Sequence, residues 1–406
     1  MNQLGPDSGD TANEARGEWT AAEAGLIDRA RALAPVLRER AATAEQLRRI
    51  PDETHAAFRD AGFYRVFQPA RYGGLEARYG LHTLLAAETA RGCGSSAWAL
   101  SVTACHAWIL GMFPREAQDE VWGEDPARAV ASSFLGVGPR LAPETGGIRL
   151  SGRWRFSSNV DHCASAILLA MVPGPRGVTP QFLLVHRDQY EIEDTWRTVG
   201  LAATGSNDIV IKDAVVPPHR VLDVIATRDG RAPGAEANAN HLYRLPLFAC
   251  LPHSLIGAAL GAALGAVDQI VTDLAGRASV TNVRLAEQQT IQARIAEAAA
   301  ELEAASALLQ VDRARINDIG RALRMPDDAT RLQLRLNVGY AAKLCVQAVE
   351  RLMPVVGGRG LELTHAFQRA WRDVHAVAQH IALVWDVQAL NYAAMRLGLT
   401  SGDPKI

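Results

Sequence analysis

The sequence lacks most of the features that announce a chemistry. Its five cysteines, Cys93, Cys105, Cys163, Cys250 and Cys345, are scattered and include no CxxC pair. An odd number at irregular spacing suggests neither a disulfide framework nor a zinc site. Aromatic residues make up only 6% and the formal net charge is −2, so there is no electrostatic case for nucleic acid or a membrane surface as partner. Apolar runs read as falling short of the ~20 residues a membrane span needs. The first 18 residues are polar and acidic with no apolar h-region. They are expected to be a disordered tail rather than a signal peptide, which leaves the cytoplasm as the default location. GxGxxG after a strand, GxxxxGK(S/T), GxSxG and HExxH are all absent. The eleven histidines show no metal-site spacing, so no metal is expected, and a lone histidine is more often structural or solvated. The chemistry must therefore use a cofactor or a constellation assembled from distant segments.

What is present is an ordinary globular composition, 48% hydrophobic and 21% charged, over 406 residues, enough for two or three domains. Residues 19–125 are mostly Ala/Leu/Arg/Glu-rich with helical periodicity, with a break and restart at Pro51-Asp52-Glu53. Residues 126–226 change character. Short apolar runs (ASSFLGV, IRLSGRWRFSS, AILLAMV, PQFLLVH, IVIKDAVV) are separated by Gly, Pro and Asp, the pattern of a small antiparallel barrel or sandwich. Residues 227–240 read as a linker, and residues 241–406 are helical again. In that last region, helices are expected over about 283–319, 329–353 and 366–397. The small-residue stripe IGAALGAALGA fits close helix packing, within a chain or between chains.

Three blocks carry a resemblance. GRWRFSSNVDHCASAILLAMV (152–172), WRTVGLAATGSNDIVIKDAVVPPHRVL (196–222) and MPVVGGRGLELTHAFQRAWRDVHAVAQHI (353–381) resemble, in this order, segments of the acyl-CoA dehydrogenase family. The implied fold is α+β: an N-terminal helical domain, a central antiparallel β-barrel and a C-terminal four-helix bundle. A flavin would lie between the barrel and the bundle. By the resemblance Ser158 faces flavin N5, with Ser157 beside it, and Phe156 flanks the ring. Read from the residues alone, Ser-Ser-Asn is a strand-end turn, since Ser and Asn favour turns. Arg277, Gln288, Gly357 and Gly358 match positions that help bind the cofactor, but Val280 and Thr281 stand where Phe and Gly are expected.

Within the family a dehydrogenase needs a carboxylate to take the proton alpha to a thioester. One position where the family keeps it corresponds to Ile381, beside His380; the other lies on a helix beginning near Leu245, and no Asp or Glu occurs between Glu236 and Asp268. Both are empty. Instead Trp98 and His106 at eight-residue spacing, FSSNVDHC with Asn159 in place of Gly, and the Arg-Asp-(six residues)-His ending at His380 resemble the oxygenase components of two-component flavin systems. That resemblance implies a monooxygenase acting through a flavin C4a-hydroperoxide. Its substrate would be phenolic or otherwise aromatic, with N- or S-oxygenation and thioester oxidation as alternatives. It implies His380 as base, His106 as the group orienting the substrate hydroxyl, and Ser132 or Ser133 as a substrate hydrogen bond. Trp98 and Arg244 would line the pocket, and His375 would share or replace the role of His380. The cofactor would be reduced FAD or FMN supplied by a separate NAD(P)H-dependent flavin reductase, with molecular oxygen as co-substrate and a homotetramer as the assembly.

Overall fold

Pro51 separates two helices in the computed structural model, which describes residues 19–174, 177–278 and 282–399. The expected tail (1–18) and the departures at Val280 and Thr281 lie outside the described residues. Helix α1 (Ala21–Leu47) opens on a capping box between Thr20 and Glu23, and α2 (Asp52–Asp60) follows Pro51 with two acidic residues in its first turn. Next come α3 (Leu81–Ala90), α4 (Gly94–Leu110) and α5 (Arg115–Trp122). Every residue of α4 is buried. It is the central rod of the molecule, which explains why its sequence is apolar all round rather than along one stripe.

The β region contains β1 (Val130–Ser133), β2 (Leu135–Glu144), β3 (Gly147–Ser157), β4 (Ser165–Gly174), β5 (Gly177–His186), β6 (Glu191–Glu193), β7 (Asn207–Val216) and β8 (Val221–Asp223). Read from the runs as a barrel or sandwich and from the resemblance as a barrel, the β region is two four-stranded sheets, β1-β4-β5-β8 and β2-β3-β7-β6, that do not close into a barrel, and β1 runs parallel to β4. The strands β6 and β8 span three residues each, too short for either sheet to wrap onto the other. The first sheet is covered on both faces. Ala166, Leu168, Leu183 and Val185 pack against Leu150, Trp154 and Ile209 of the second sheet, while Ile167, Phe182 and Leu184 join the helical core. That two-sided burial is why β4 and β5 read as continuous apolar runs.

The segment 227–240, expected as a linker, is docked. It contains the end of α6 (Val224–Arg228) and all of α7 (Gly234–Ala237), and buried Asn238 donates to the Gly111 carbonyl at 2.8 Å. The C-terminal bundle follows: α8 (Leu247–Leu255), α9 (Gly257–Leu274), α10 (Gln289–Ala322) and α11 (Asp328–Val356). Two shorter helices, α12 (Ala366–Ala378) and α13 (Trp385–Arg396), complete it. The run Leu247–Leu274 is, against expectation, long and apolar enough to cross a membrane, and 89% of its most apolar window is buried inside the protein. The glycine stripe packs within the chain. A Cβ on Gly261 would lie 1.9 Å from the Ala87 carbonyl oxygen, so α9 and α3 touch backbone to backbone.

The single helix expected over 366–397 is broken. Its carbonyl at His380 accepts from Leu383 N at 2.7 Å and Val384 N at 3.0 Å, and His380 Nδ1 accepts from Ala382 N at 3.3 Å. A side chain competing for backbone N–H groups opens the turn between α12 and α13 without Gly or Pro. The turn is what carries His380 toward α4.

Candidate active site

The site is assembled along α4. Near its start, Trp98 Nε1 donates to Ser158 Oγ at 3.1 Å, and the Trp98 indole lies 5.5 Å from the His380 ring, tilted by 58°. Residues from α4, the end of β3 and the α12–α13 turn are thereby brought together. Ser158 continues into a row of hydroxyls: Ser158 Oγ is 2.6 Å from Ser206 Oγ, which is 2.6 Å from Thr204 Oγ1, which donates to the Leu201 carbonyl at 3.0 Å. Eight residues along α4, roughly 12 Å of rise, stands His106. Its Nδ1 is 2.9 Å from the Val130 carbonyl and its Nε2 is 2.7 Å from Ser132 Oγ. A carbonyl only accepts, so Nδ1 carries the proton and Nε2 accepts from the Ser132 hydroxyl. Burial pushes the His106 pKa down to about 4, opposed by the bond to Val130, so the ring is neutral.

Adjacent strand residues diverge. Ser132 faces α4, while Ser133 donates to the Arg155 carbonyl of β3, so of the two serines the structure joins Ser132 to the site. Phe156 and Asn159, at φ +64° and +59°, both occupy the left-handed region. Asn159 stands where Gly is expected, and Asn is a side chain that tolerates this conformation. Its Nδ2 donates to Thr103 Oγ1 of α4 at 3.0 Å, locking the turn that presents Ser158. A register shift between Trp154 and Ser157 turns Phe156 outward, 47% exposed, with its ring edge-on to Trp196 at 5.9 Å.

The other expected residues fall elsewhere. His375 Nε2 lies 2.9 Å from a Glu350 carboxylate oxygen and its ring packs tilted against Trp371 at 4.3 Å, so it points toward α11 and does not share the place of His380. Half-buried Arg244 lies in a short turn before α8 and makes no ion pair among the described residues. Arg277 and Gln288 flank the α9–α10 connection, where the Arg277 carbonyl accepts from Leu285 N at 3.0 Å and Gln288 precedes α10 as its N-cap. Gly357 (φ +69°) and Gly358 follow α11, with open space where their Cβ atoms would be. These four make no hydrogen bond to the Ser158 group among the described residues.

Three residues matter that the sequence shows only as fold signatures. Thr204 and Ser206 belong to the hydroxyl row, and Asp373 anchors it. The Asp373 carboxylate is fully buried at the N-terminus of α4, where it accepts from Ser95 N at 3.0 Å and Ser95 Oγ at 3.2 Å, and from Leu201 N at 2.6 Å. Burial raises its pKa to about 6 against the pull of these donors. A Cβ on Gly94 would meet Asp373 Oδ2 at 2.8 Å, so the residue opening α4 has to be glycine. Thr204, Ser206 and Asp373 were legible as T-x-S-x-D and Arg-Asp patterns, but only the fold shows that they meet.

The fit to a flavin rests on the donor set. Hydroxyls, an indole N–H and an imidazole surround the site, Ser157 Oγ is buried without a partner among the described residues, and Phe156 is a half-exposed aromatic ring with the Arg155 guanidinium 4.6 Å from its centroid. Neutral groups of both donor and acceptor type beside an apolar wall suit the edge of a planar heterocycle rather than a phosphate or a metal ion, and a flavin ring has that character.

The comparisons agree with this architecture. Residues 21–128 match the acyl-CoA dehydrogenase N-terminal domain and residues 254–385 the acyl-CoA dehydrogenase C-terminal domain. The FADH(2)-dependent resorcinol hydroxylase oxygenase component of a Rhizobium species is 36% identical over 389 residues, covering 92% of this chain and 94% of that protein. The crystal structure of 3-HSA hydroxylase from Rhodococcus sp. RHA1 superposes with a TM-score of 0.89 at 32% identity, over 94% of this chain and 99% of that one. XiaF from a Streptomyces species, solved with FADH2 and glycerol, gives 0.88 at 27% identity over 98% and 100%.

Proposed function

Because the chain belongs to the acyl-CoA dehydrogenase family and resembles reduced-flavin hydroxylases over nearly its whole length, we propose that it is the oxygenase component of a two-component flavin-dependent monooxygenase acting on a phenolic or other aromatic substrate. The observation that carries this reading is a site without a free carboxylate. Asp373, at its edge, is occupied by Ser95 and Leu201, and the position beside His380 that a dehydrogenase would fill with Glu is Ile381, 61% exposed. Abstraction of a proton alpha to a thioester has no base there.

Reduced FAD or FMN, delivered by a separate NAD(P)H-dependent reductase, supplies when bound the electrons that activate molecular oxygen. Ser158 and Phe156 would hold its ring. The chain's own groups do the rest. Neutral His106 offers Nε2 through Ser132, so a substrate hydroxyl seated against Ser132 can pass its proton inward along two hydrogen bonds. A phenolate forming beside the imidazole is an opposite charge and raises the pKa that burial depresses. His380, the base expected from sequence, presents a different face. With Nδ1 accepting from Ala382, the ring's proton sits on Nε2, and the ring lies against the Trp98 indole. We therefore assign proton removal to the Ser132–His106 pair and orientation of the bound aromatic to His380. The homotetramer belongs to the same proposal: Leu361 and Leu363 in the connection between α11 and α12, Leu390 on α13 and Leu397 just after it are each at least 70% exposed.

The test mixes the protein anaerobically with photoreduced flavin and a simple phenol, then adds oxygen and measures the catechol. Hydroxylated product above the protein-free control is expected. Flavin reoxidation indistinguishable from free flavin, with only hydrogen peroxide formed, would overturn the reading. Bleaching of bound oxidised flavin by an acyl-CoA would favour the dehydrogenase instead.

A further inference from the structure

We infer that Thr204 and Ser206 are positioning residues that fix the direction of the Ser158 hydroxyl proton, and so make the site select reduced over oxidised flavin. The inference rests on the reading above that a flavin ring meets Ser158.

The direction follows from counting protons along the row. The Leu201 carbonyl only accepts, so the Thr204 hydroxyl spends its single proton there, at 3.0 Å. Thr204 Oγ1 must then accept at its 2.6 Å contact with Ser206, and Ser206 must accept at its 2.6 Å contact with Ser158. At the far end Trp98 Nε1, a donor and nothing else, delivers its proton to Ser158 Oγ at 3.1 Å. In this arrangement every proton has an acceptor. Ser158 then shows a remaining lone pair, not a proton, to whatever lies against it. Reversing the row gives up the Thr204–Leu201 bond and leaves the Ser158 proton without a protein acceptor. The start of the row is fixed in place by Leu201, whose N donates to buried Asp373 at 2.6 Å and whose carbonyl also accepts from Trp196 Nε1 at 2.8 Å and Thr204 N at 3.2 Å. All three hydroxyls are buried, so water does not scramble the order.

The two redox states of a flavin differ at N5. Reduced flavin carries an N–H there and needs an acceptor; oxidised flavin has a bare nitrogen and needs a donor. A row locked toward Leu201 complements the first and opposes the second by about one hydrogen bond in each state. That amounts to roughly tenfold in relative affinity.

The test measures dissociation constants of the full-length protein for oxidised flavin in air and for photoreduced flavin anaerobically. The midpoint potential of the bound flavin provides a second readout. Thr204→Val and Ser206→Ala both free the Ser158 proton to turn outward. Each should tighten oxidised flavin, weaken reduced flavin and narrow the ratio about tenfold, a shift in potential of about 30 mV for a two-electron couple, toward more negative values because the oxidised state gains. Thr204→Ser keeps the hydroxyl and should keep the wild-type ratio. Loosening of the fold alone would weaken both states together and leave the ratio and the potential unmoved. An unchanged ratio in both Thr204→Val and Ser206→Ala, with flavin still bound, overturns the inference and leaves the flavin site standing. A wild-type protein that binds neither flavin overturns both.

Discussion

Replacing His106 by Gln should flatten the acid dependence of stability. The imidazole is held neutral by burial, with its pKa falling from 6.5 to about 4. Its depressed pKa means that the unfolded chain binds the proton first as pH falls. The stabilising contribution is complete above the unfolded pKa and is lost progressively as pH drops toward 4. Each pH unit of that window is worth about 1.4 kcal/mol, so by about pH 5 the wild type has given up roughly 2 kcal/mol through this one ring. A domain's whole stability is about 5–15 kcal/mol, so this is measurable. The amide introduced by His106→Gln does not titrate, although its oxygen can still accept from Ser132. Urea unfolding followed by tryptophan fluorescence at about pH 7.5 and about pH 5 gives two stabilities per protein. His55 and His82, also pushed down to about 4 chiefly by burial, contribute equally to both proteins and cancel in the comparison. The variant starts less stable, having lost the bond to Val130, but should lose about 2 kcal/mol less than wild type between the two pH values. Equal losses in the two proteins would show that His106 is not held neutral, and the proton path through Ser132 would fall with it.

Ser132→Ala removes the hydroxyl that connects substrate to His106 Nε2 and should lower the hydroxylation rate by about a hundredfold, with flavin binding unchanged; wild-type turnover would move the proton path elsewhere. His380→Ala should raise KM for the aromatic substrate more than it lowers kcat, and a loss confined to kcat would restore His380 as the base. Asp373→Asn places an amide donor among the Ser95 and Leu201 donors and should cost about 1–3 kcal/mol in urea unfolding, whereas a stability equal to wild type would mean that the carboxylate is already protonated. Gly261→Ala forces a methyl within 1.9 Å of the Ala87 carbonyl and should destabilise by about 1–3 kcal/mol; an unchanged melting temperature would show that α9 and α3 are not in backbone contact.

Much of the fold was legible because its signals are local. The break at Pro51 and the change from helical periodicity to short apolar runs each act within a few residues. The helical periodicity also held over most of the bundle. What the sequence could not show depends on distance through space. The two sheets stay open because β6 and β8 are short, a property of pairing length that spacing between apolar runs does not reveal. The break at 379–384 carries no Gly or Pro, since its cause is the His380 side chain taking a backbone N–H. In the site, Trp98, His106, Ser158 and His380 were expected from the family resemblance, and the structure sets Trp98 beside both Ser158 and His380. The split between Ser132 and Ser133 needed the register of β1 against α4 and β3, and the diversion of His375 needed the position of Glu350 on α11.

The removal of the carboxylate explains more than the loss of thioester chemistry. A charged acid beside a buried ring would favour an imidazolium, because an opposite charge raises a histidine's pKa. The structure avoids this throughout: His106 sees a carbonyl and a hydroxyl, Trp98 sees Ser158, and Asp373 is turned to the N-terminus of α4 and the Leu201 amide. The hydroxyls, the indole and the His106 imidazole are neutral, so their hydrogen-bonding direction, rather than their charge, is what the protein controls. Direction is set by the partners behind each group. The Val130 carbonyl fixes which nitrogen of His106 is free, Ala382 does the same for His380, and Leu201 does so for the hydroxyl row. A neutral, directional site suits a reaction in which a proton must leave a phenol without a fixed negative charge nearby to oppose the phenolate. A carboxylate at the position of Ile381 would do the reverse, by pairing with His380 and repelling the phenolate that the Ser132–His106 pair is built to form.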